Sequence, residues 1–414
     1  MPDWTRIPDY PATARLPRGI AGYMRSGWDE AYPLRIRNGA GARVWDTEGR
    51  EFVDWVSGKG AVTLGHAHPA ITRAVAERMA QGSLLPGVPE DYELAADALA
   101  SLVPAAERVV FAKNGADAVN IALRLARVHS GRDLILSAGY HGWDDRLLPG
   151  ASPVAAAGAV VDFGYHLDRA RASAAAHSAR LAAVLVTPEP AFFQGEFLHE
   201  CAALAKSHGA LFIVDEVRCG MRLSPGGAHQ HFGVSVDLAV LSKGLANGVP
   251  LSAVVGRAEV LDAAARTFVF GTYYGDALGL AAARATIEVY RQEDVSQSLS
   301  QRGARLMRAL EGHFLQRQVP AWVLGPESMP TVLFQHEADE AAFYRGAAEG
   351  GVLFFQDDAQ CPNAALSEDD IAHTDDVCAR VVCGFAAAER STAPPPEVVS
   401  RYAKRRMIDV GALE

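Results

Sequence analysis

The stretch Leu238-Ala-Val-Leu-Ser-Lys-Gly-Leu-Ala-Asn-Gly248 runs from an apolar segment into a single lysine that is followed by glycines. A short apolar run that stops at Ser-Lys-Gly predicts a buried strand ending in a loop at the edge of a sheet. In open α/β sheets, ligands bind outside the carboxyl ends of the strands. Lys243 is therefore a candidate for covalent catalysis through its amine, although a solvated lysine at a strand end is an alternative that this stretch alone leaves open.

The rest of the chain fits a sheet of this kind. From about Tyr92 onward, short apolar runs alternate with helical segments, which predicts a mostly parallel central sheet covered by helices. The other predicted strands are Val109–Ala112, Leu134–Leu136, Ala183–Thr187, Leu211–Val214 and Ser252–Val255.

Both ends of the chain have a different character. Alternating apolar positions around the turn at 46–49 predict a hairpin, and Pro69 predicts the start of a helix. After residue 287 a long polar helix, predicted over 291–315, leads into shorter elements. We therefore predict an α/β fold with residues 1–58 contributing to a small domain, 59–287 forming the large domain, and 288–414 forming a smaller α+β domain and a tail. The basic end of that tail is expected to be solvated or to lie across a neighbouring chain.

Composition excludes several classes of protein. The sequence has no run of 18 apolar residues, and its first 30 residues carry Pro, Arg, Asp and Trp, so we expect a soluble cytoplasmic protein without a membrane segment. The five cysteines are scattered and never spaced as Cys-x-x-Cys, and His66 and His68 have no further ligand at a suitable spacing, so no metal site is predicted. The net charge of −10, with both signs interspersed, argues against a nucleic-acid partner and is compatible with a cationic small substrate.

Three further motifs follow predicted strands. Asn114-Gly-Ala-Asp117 opens a helix, where backbone N–H groups form an anion site that Gly115 keeps accessible. Tyr140 ends the next strand and offers a ring for stacking on a flat ligand, with packing in the core as an equal alternative. Asp215 ends a buried strand and needs a cationic partner, which a protonated pyridine nitrogen would supply.

In this order, the motifs resemble the class III aminotransferases of the pyridoxal-phosphate fold-type I superfamily, from about Arg35 to about Ala379. Each motif is weak alone, and the ordered set is specific. The matching runs are Trp45–Asp54, Gly65–Pro69, Asn114–Ala118, Tyr140–Gly142, Glu189–Pro190, Asp215–Val217, Ser242–Gly244 and Gly271–Thr272.

The resemblance implies catalytic roles for three residues. Lys243 would be the Schiff-base lysine and proton shuttle of a pyridoxal 5′-phosphate cofactor, and Asp215 would pair with the pyridine nitrogen. Tyr140 would cover one face of the ring, and Val217 would pack on the other.

The resemblance also implies contacts to the rest of the cofactor. Gly115 and Ala116 would donate backbone N–H groups to the phosphate, and Gln194 would lie near the phenolic oxygen. Thr272 would reach the phosphate in a neighbouring subunit, which implies a homodimer with shared active sites. Ala116 stands where the family usually carries a hydroxyl residue, so phosphate binding would depend more on backbone groups and on Thr272.

Within the family, the closest likeness is to the sugar aminotransferases of aminoglycoside antibiotic pathways, and a more distant one is to glutamate-1-semialdehyde aminomutase. The likeness implies exchange of amine and carbonyl at C6′ of a pseudo-oligosaccharide, with glutamate or glutamine as the amino donor. The runs that carry it are Leu134–Gly142, Val160–Phe163, Lys243–Gly248 and Gly351–Phe355.

Some alternatives stay open at the level of the sequence. A second acid on the opposite face would instead epimerise the amine-bearing carbon, and Tyr140, Cys219 and residues of a partner chain are candidates for it. Arg222 is a candidate for binding the donor carboxylate, with a structural ion pair as the alternative. A non-catalytic protein that keeps the fold is disfavoured, because Lys243 is present.

Acidic residues near the predicted substrate edge would suit a polyamine substrate, with an ordinary solvated surface as the alternative. They are Asp357, Asp358 and Glu327.

Overall fold

The computed structural model describes residues 35–142, 144, 147, 159–356, 358–406 and 408. These residues form two units: a larger one of residues 60–298 with residue 408, and a smaller one of residues 35–59 with 299–406. The boundary predicted at 287–288 falls inside a helix, Ala277–Gln292. In chain order the elements are β1 (Ile36–Ala40), β2 (Arg43–Asp46), β3 (Glu51–Asp54), α1 (Ser57–Gly60), α2 (Pro69–Ala80), α3 (Glu90–Leu102), β4 (Arg108–Ala112), α4 (Gly115–Ser130), β5 (Leu134–Ala138), β6 (Val160–Asp162), α5 (Leu167–Ala176), β7 (Leu181–Val186), α6 (Gly195–Ser207), β8 (Leu211–Asp215), α7 (Ala228–His231), β9 (Leu238–Leu241), β10 (Ser252–Gly256), α8 (Ala258–Leu261), α9 (Ala277–Gln292), α10 (Val295–Arg317), β11 (Ala321–Leu324), β12 (Thr331–Phe334), α11 (Glu337–Glu349), β13 (Val352–Leu353), α12 (Glu368–Cys383) and α13 (Pro396–Arg405).

The larger unit is built on a seven-stranded sheet with the order β4-β10-β9-β8-β7-β5-β6. Strand β10 is antiparallel to both of its neighbours, and the other pairs are parallel. Strands β5, β7, β8, β9 and β10 are buried along their whole length. Burial on both faces explains why these strands read as continuous apolar runs. The predicted mostly parallel α/β sheet is confirmed, with strand ends shifted by one or two residues.

Helix α4 forms directly after β4, because the sequence supplies both of its ends. The side chain of Asn114 caps the first turn, and Gly131 takes the left-handed conformation at the last. A glycine at that position avoids the steric cost of a side chain. Buried alanines and leucines along one face pack this helix on the sheet.

The smaller unit contains a four-stranded sheet, β1-β2-β3-β13, and the pair β11-β12. The predicted hairpin is the antiparallel pair β2-β3. The predicted long polar helix is α10, which begins later than expected because α9 continues to Gln292. An aromatic core holds the unit together, and it includes Trp55, Phe314, Phe334, Phe343 and Phe354.

The expectation of a solvated tail is wrong for α13. Tyr402 is buried, and its hydroxyl accepts a hydrogen bond from the backbone N–H of Phe334 at 3.1 Å. Arg405 pairs with the buried carboxylate of Glu340 at 2.6 Å. The basic residues of this helix therefore stabilise the smaller unit. Among the described residues, no helix combines the length and apolar character that a membrane crossing needs.

Candidate active site

The carboxyl ends of five strands of the larger unit lie at one edge of the sheet. Strands β9, β8, β7 and β5 are parallel, and β4 runs the same way because both β4 and β9 pair antiparallel with β10. Five residues lie at or just after the ends of these strands: Gly115, Tyr140, Glu189, Asp215 and Lys243. The topology therefore places the sequence-predicted residues at the edge where α/β sheets bind ligands.

Lys243 opens the 3₁₀ turn Lys243–Ala246, just after β9. Its backbone is left-handed, with φ of 45°, which is uncommon for a residue other than glycine. Close packing fixes this turn: a Cβ on Gly244 would lie 2.9 Å from the Cβ of Met221. The side chain of Asn247 accepts from the N–H of Leu64 at 2.9 Å and donates to the carbonyl of Gly65 at 3.0 Å. The lysine is thus carried on a rigid loop.

Asp215 lies at the end of β8 and is 3% exposed. Its Oδ2 lies 2.9 Å from Nδ1 of His141, and its Oδ1 accepts from the backbone N–H of Val217 at 3.2 Å. A buried carboxylate needs such donors, since burial without them is costly. The sequence predicted a cationic ligand for Asp215 but not the contact with His141.

Thr187 links the loop after β5 to Asp215. Its hydroxyl donates to the carbonyl of Tyr140 at 2.8 Å and lies 3.1 Å from Nδ1 of His141. Tyr140 is 48% exposed. Burial of the phenol, and then the charge of Asp215, raise the pKa of Tyr140. The phenol is therefore protonated at neutral pH.

The start of α4 packs against both neighbouring loops. A Cβ on Gly115 would lie 2.9 Å from Cγ2 of Val217, and a Cβ on Gly142 would lie 2.7 Å from the Cβ of Ala116. Gly115 and Ala116 open a 16-residue helix and are partly exposed, and the first N–H groups of a helix can bind an anion. An anion cradle, an exposed aromatic ring, a buried carboxylate and a lysine at one sheet edge fit the charges and shape of pyridoxal phosphate.

Two predicted cofactor contacts lie at the surface of this unit. Gln194 is exposed at the start of α6, and its Nε2 donates to the carbonyl of Pro190 at 3.3 Å. Thr272 is exposed on the turn before α9. The contact of Gln194 with a phenolic oxygen and that of Thr272 with a partner's phosphate stay predictions.

The structure disfavours two of the candidates for other roles. Arg222 is 1% exposed, and its Nε and Nη2 donate to the carbonyl of Gly60 at 3.3 and 3.2 Å, so it is held in the interior rather than presented to a donor carboxylate. Cys219 is fully buried, and its burial raises the pKa of the thiol well above the ordinary value. A buried thiol of this kind is poorly suited to exchange protons with a substrate.

Sequence reasoning missed the contacts of Thr187, Glu189 and Arg218. Glu189 is buried and forms an ion pair with Arg218. After burial, the negative charges of Glu216, Glu189 and Asp215 raise the pKa of the Cys219 thiol, and the positive charge of Arg218 lowers it. The available signal was position, because Thr187 and Glu189 directly follow β7 as Asp215 ends β8.

The acidic residues of the smaller unit give limited support for polyamine binding. Oδ1 of Asp358 lies 3.4 Å from the guanidinium of Arg406 and accepts from the N–H of Ala359 at 2.7 Å. Glu327 is exposed, and Asp357 lies outside the described residues. Part of the charge of Asp358 is therefore balanced within the chain.

The family model for class-III aminotransferases matches residues 24–159 and 166–361. The 2'-deamino-2'-hydroxyneamine transaminase of Streptomyces kanamyceticus is 34% identical over 327 residues, which are 78% of this chain and 83% of that protein. A glutamate-1-semialdehyde 2,1-aminomutase of Thermomicrobium roseum is also 34% identical, over 83% of this chain and 89% of its own length. The solved structure of a PLP form of the FumI protein of Sphingopyxis sp. MTA144 superimposes with a TM-score of 0.82 at 29% identity, covering 86% of this chain and 90% of that one.

Proposed function

Because this chain belongs to the class-III aminotransferase family and is a pyridoxal-phosphate-dependent aminotransferase, we propose that it exchanges amine and carbonyl at C6′ of an aminoglycoside intermediate in antibiotic biosynthesis. The similarity to a transaminase named for a hydroxyneamine supports an aminoglycoside substrate. The observation that carries the proposed chemistry is the placement of Lys243 and Asp215 at the ends of adjacent parallel strands.

Pyridoxal phosphate, when bound, supplies an electron sink for the carbon that carries the amine. In the proposal, Asp215 holds the pyridine nitrogen in its protonated form, and Tyr140 and Val217 enclose the ring. Gly115 and Ala116 bind the phosphate through backbone N–H groups.

Lys243 has two tasks in this proposal. Its Nζ would hold the cofactor, and the amine of the donor would free it to act as a base. The Nζ would then remove a proton from the donor carbon and hold it for return. The same Nζ would move a proton in the opposite direction when the sugar carbonyl is the substrate.

We further propose that the active unit is a homodimer. Thr272 of each subunit would contact the cofactor of the other subunit, and Gln194 would contact the cofactor of its own subunit. The segment around Thr272 exposes three aromatic rings: Phe268, Phe270 and Tyr273 are 72%, 66% and 66% exposed. Clustered exposed apolar residues of this kind are typical of protein interfaces.

Epimerisation at C6′ is a second candidate function, and the phenol of Tyr140 is the observation that favours it. It is half-exposed and protonated at neutral pH, and it therefore meets the needs of a second acid better than the buried Cys219. A glutamate-1-semialdehyde-type aminomutase is the remaining alternative, supported by the relative in Thermomicrobium roseum.

One set of measurements tests the proposal. The purified enzyme is expected to show cofactor absorption that borohydride bleaches, and Lys243→Ala is expected to lose it, whereas Lys206→Ala, on the exposed face of α6, keeps it. Incubation with a 6′-amino aminoglycoside should consume the amine only when 2-oxoglutarate is present. Solvent deuterium uptake with inverted configuration and no acceptor would establish epimerisation instead. Consumption of glutamate-1-semialdehyde would establish the aminomutase.

A further inference from the structure

His141 is buried beside Asp215 at the carboxyl edge of the sheet, and its side chain has no exposed surface. We propose that His141 is a positioning residue that holds the Asp215 carboxylate in its working orientation. This inference rests on the proposed role of Asp215 toward the pyridine nitrogen.

The hydrogen bonds around His141 determine which ring nitrogen carries the proton. An ionised Asp215 only accepts, and its Oδ2 lies 2.9 Å from Nδ1. The Thr187 hydroxyl directs its hydrogen to the carbonyl of Tyr140 at 2.8 Å, so it presents a lone pair to Nδ1 at 3.1 Å. Two acceptors therefore face Nδ1, and this nitrogen carries a hydrogen.

The surroundings of the other ring nitrogen, Nε2, indicate that His141 acts through its contact with Asp215. Nε2 is buried, and among the residues that the structure describes none hydrogen-bonds to it. The polar contacts recorded for the ring are thus those of Nδ1, with Asp215 and Thr187. A histidine kept for general stability would gain from a partner at both nitrogens.

The backbone on both sides of His141 leaves the ring little freedom. Gly139 and Gly142 have φ of 101° and 99°, a region that favours glycine. A Cβ on Gly139 would lie 2.3 Å from the Tyr165 hydroxyl, and one on Gly142 would lie 2.7 Å from the Cβ of Ala116. The loop is therefore held between two close contacts.

Loss of the Nδ1–H group would leave Asp215 with the N–H of Val217 as its close donor, since the Thr187 hydroxyl is 3.5 Å away. Hydrogen bonds to charged groups are among the stronger ones in proteins. We expect His141→Leu to weaken pyridoxal-phosphate binding on the order of tenfold to a hundredfold, with a comparable fall in kcat.

The test is a double-mutant cycle of His141→Leu and Asp215→Asn, read by pyridoxal-phosphate titration of the apoenzyme and by thermal unfolding. If His141 acts through Asp215, His141→Leu has little further effect in the Asp215→Asn background. His141→Asn, whose amide nitrogen replaces Nδ1, should restore most of the affinity. His141→Gln, whose amide nitrogen lies farther out, should not.

A second buried histidine–carboxylate pair provides the matched control. Nδ1 of His229 lies 3.0 Å from Oε1 of Glu216, and both side chains are at most 5% exposed. Glu216 also accepts from the first N–H groups of α7, so this pair is structural. His229→Leu should lower the unfolding temperature without changing the cofactor affinity of the folded protein.

Several outcomes separate the inference from the proposed function. Additive effects of the two substitutions, equal affinities of the Asn and Gln variants, or wild-type affinity of His141→Leu would each overturn the role of His141. If Asp215→Asn binds and turns over as the parent does, the proposed role of Asp215 itself fails. If His141→Leu does not fold, the Asn and Gln pair decides.

Discussion

The close contact between Gly115 and Val217 leads to a quantitative prediction for Gly115→Ala. The added Cβ would meet Cγ2 of Val217 at 2.9 Å and Cγ1 at 3.1 Å, whereas carbon atoms in good contact lie at about 3.5–4.0 Å. Either the first turn of α4 or the Val217 side chain must therefore move by several tenths of an ångström. Overpacking of this size costs about 1–3 kcal/mol.

Movement of either element would disturb a predicted cofactor contact, because Gly115 is expected to bind the phosphate and Val217 to pack on the ring. If the whole cost falls on the cofactor-bound form, affinity for pyridoxal phosphate drops by roughly fivefold to 150-fold. If the cost is shared with the apoenzyme, the melting temperature of the apoenzyme falls as well. Titration of apoenzyme with pyridoxal phosphate and thermal unfolding with and without the cofactor measure both parts.

Two further variants make this prediction specific. Val217→Ala removes both contacting methyl groups, so the double variant Gly115→Ala/Val217→Ala should bind better than the sum of the single losses predicts. Gly87→Ala is the matched control, because a Cβ there meets nothing within 4 Å. Wild-type affinity and wild-type melting temperature in Gly115→Ala would refute the steric reasoning.

Three other predictions concern the rest of the chain. Alkylation of the folded protein followed by mass spectrometry should label exposed Cys383 and leave Cys219 unlabelled, because Cys219 is fully buried and burial raises the pKa of its thiol; rapid labelling of Cys219 would contradict this. Tyr402→Ala should destabilise the protein by about 3 kcal/mol in denaturant unfolding, since it empties a buried aromatic site, and an unchanged midpoint would show that α13 is not docked. Burial works to raise the pKa of Asp370, but hydrogen bonds from Ser367, with further ones from the Arg43 guanidinium, outweigh it and lower the pKa below its ordinary value. A carboxylate whose pKa is lower in the folded than in the unfolded protein stabilises the fold above its unfolded-state pKa, and this stability is lost as the pH falls through its folded-state pKa. Asp370→Asn should therefore reduce the fall in unfolding free energy over this acidic pH range. An unchanged fall would contradict this.

The sequence predicted those elements and site residues whose structure depends on residues close by in the chain. Apolar runs with both faces buried predicted the strands, and the residues at their ends predicted Lys243 and Asp215 at one edge, as the parallel sheet requires. The cap at Asn114 likewise depends on neighbours within one turn. Short-range patterns of this kind are readable because their partners are close in the chain.

Contacts between segments that are distant in the chain could not be predicted from the sequence. His141 meets Asp215 across 74 positions, and Arg222 reaches the carbonyl of Gly60 across 162, so nothing local distinguishes a site residue from a buried structural one. The same limit applied to the C-terminal segment, where basic residues suggested a solvated end. The buried ring of Tyr402 and the buried carboxylate of Glu340 explain why this segment docks instead.

The left-handed backbone at Lys243 has a consequence for how this enzyme responds to evolution or engineering. A side chain in that conformation costs about 1–2 kcal/mol that glycine would avoid. Screening for thermal tolerance alone would therefore tend to select glycine at 243. The selected variant would be more stable, but it would lack the amine of Lys243. At position 243 a gain in folding stability therefore costs the catalytic side chain.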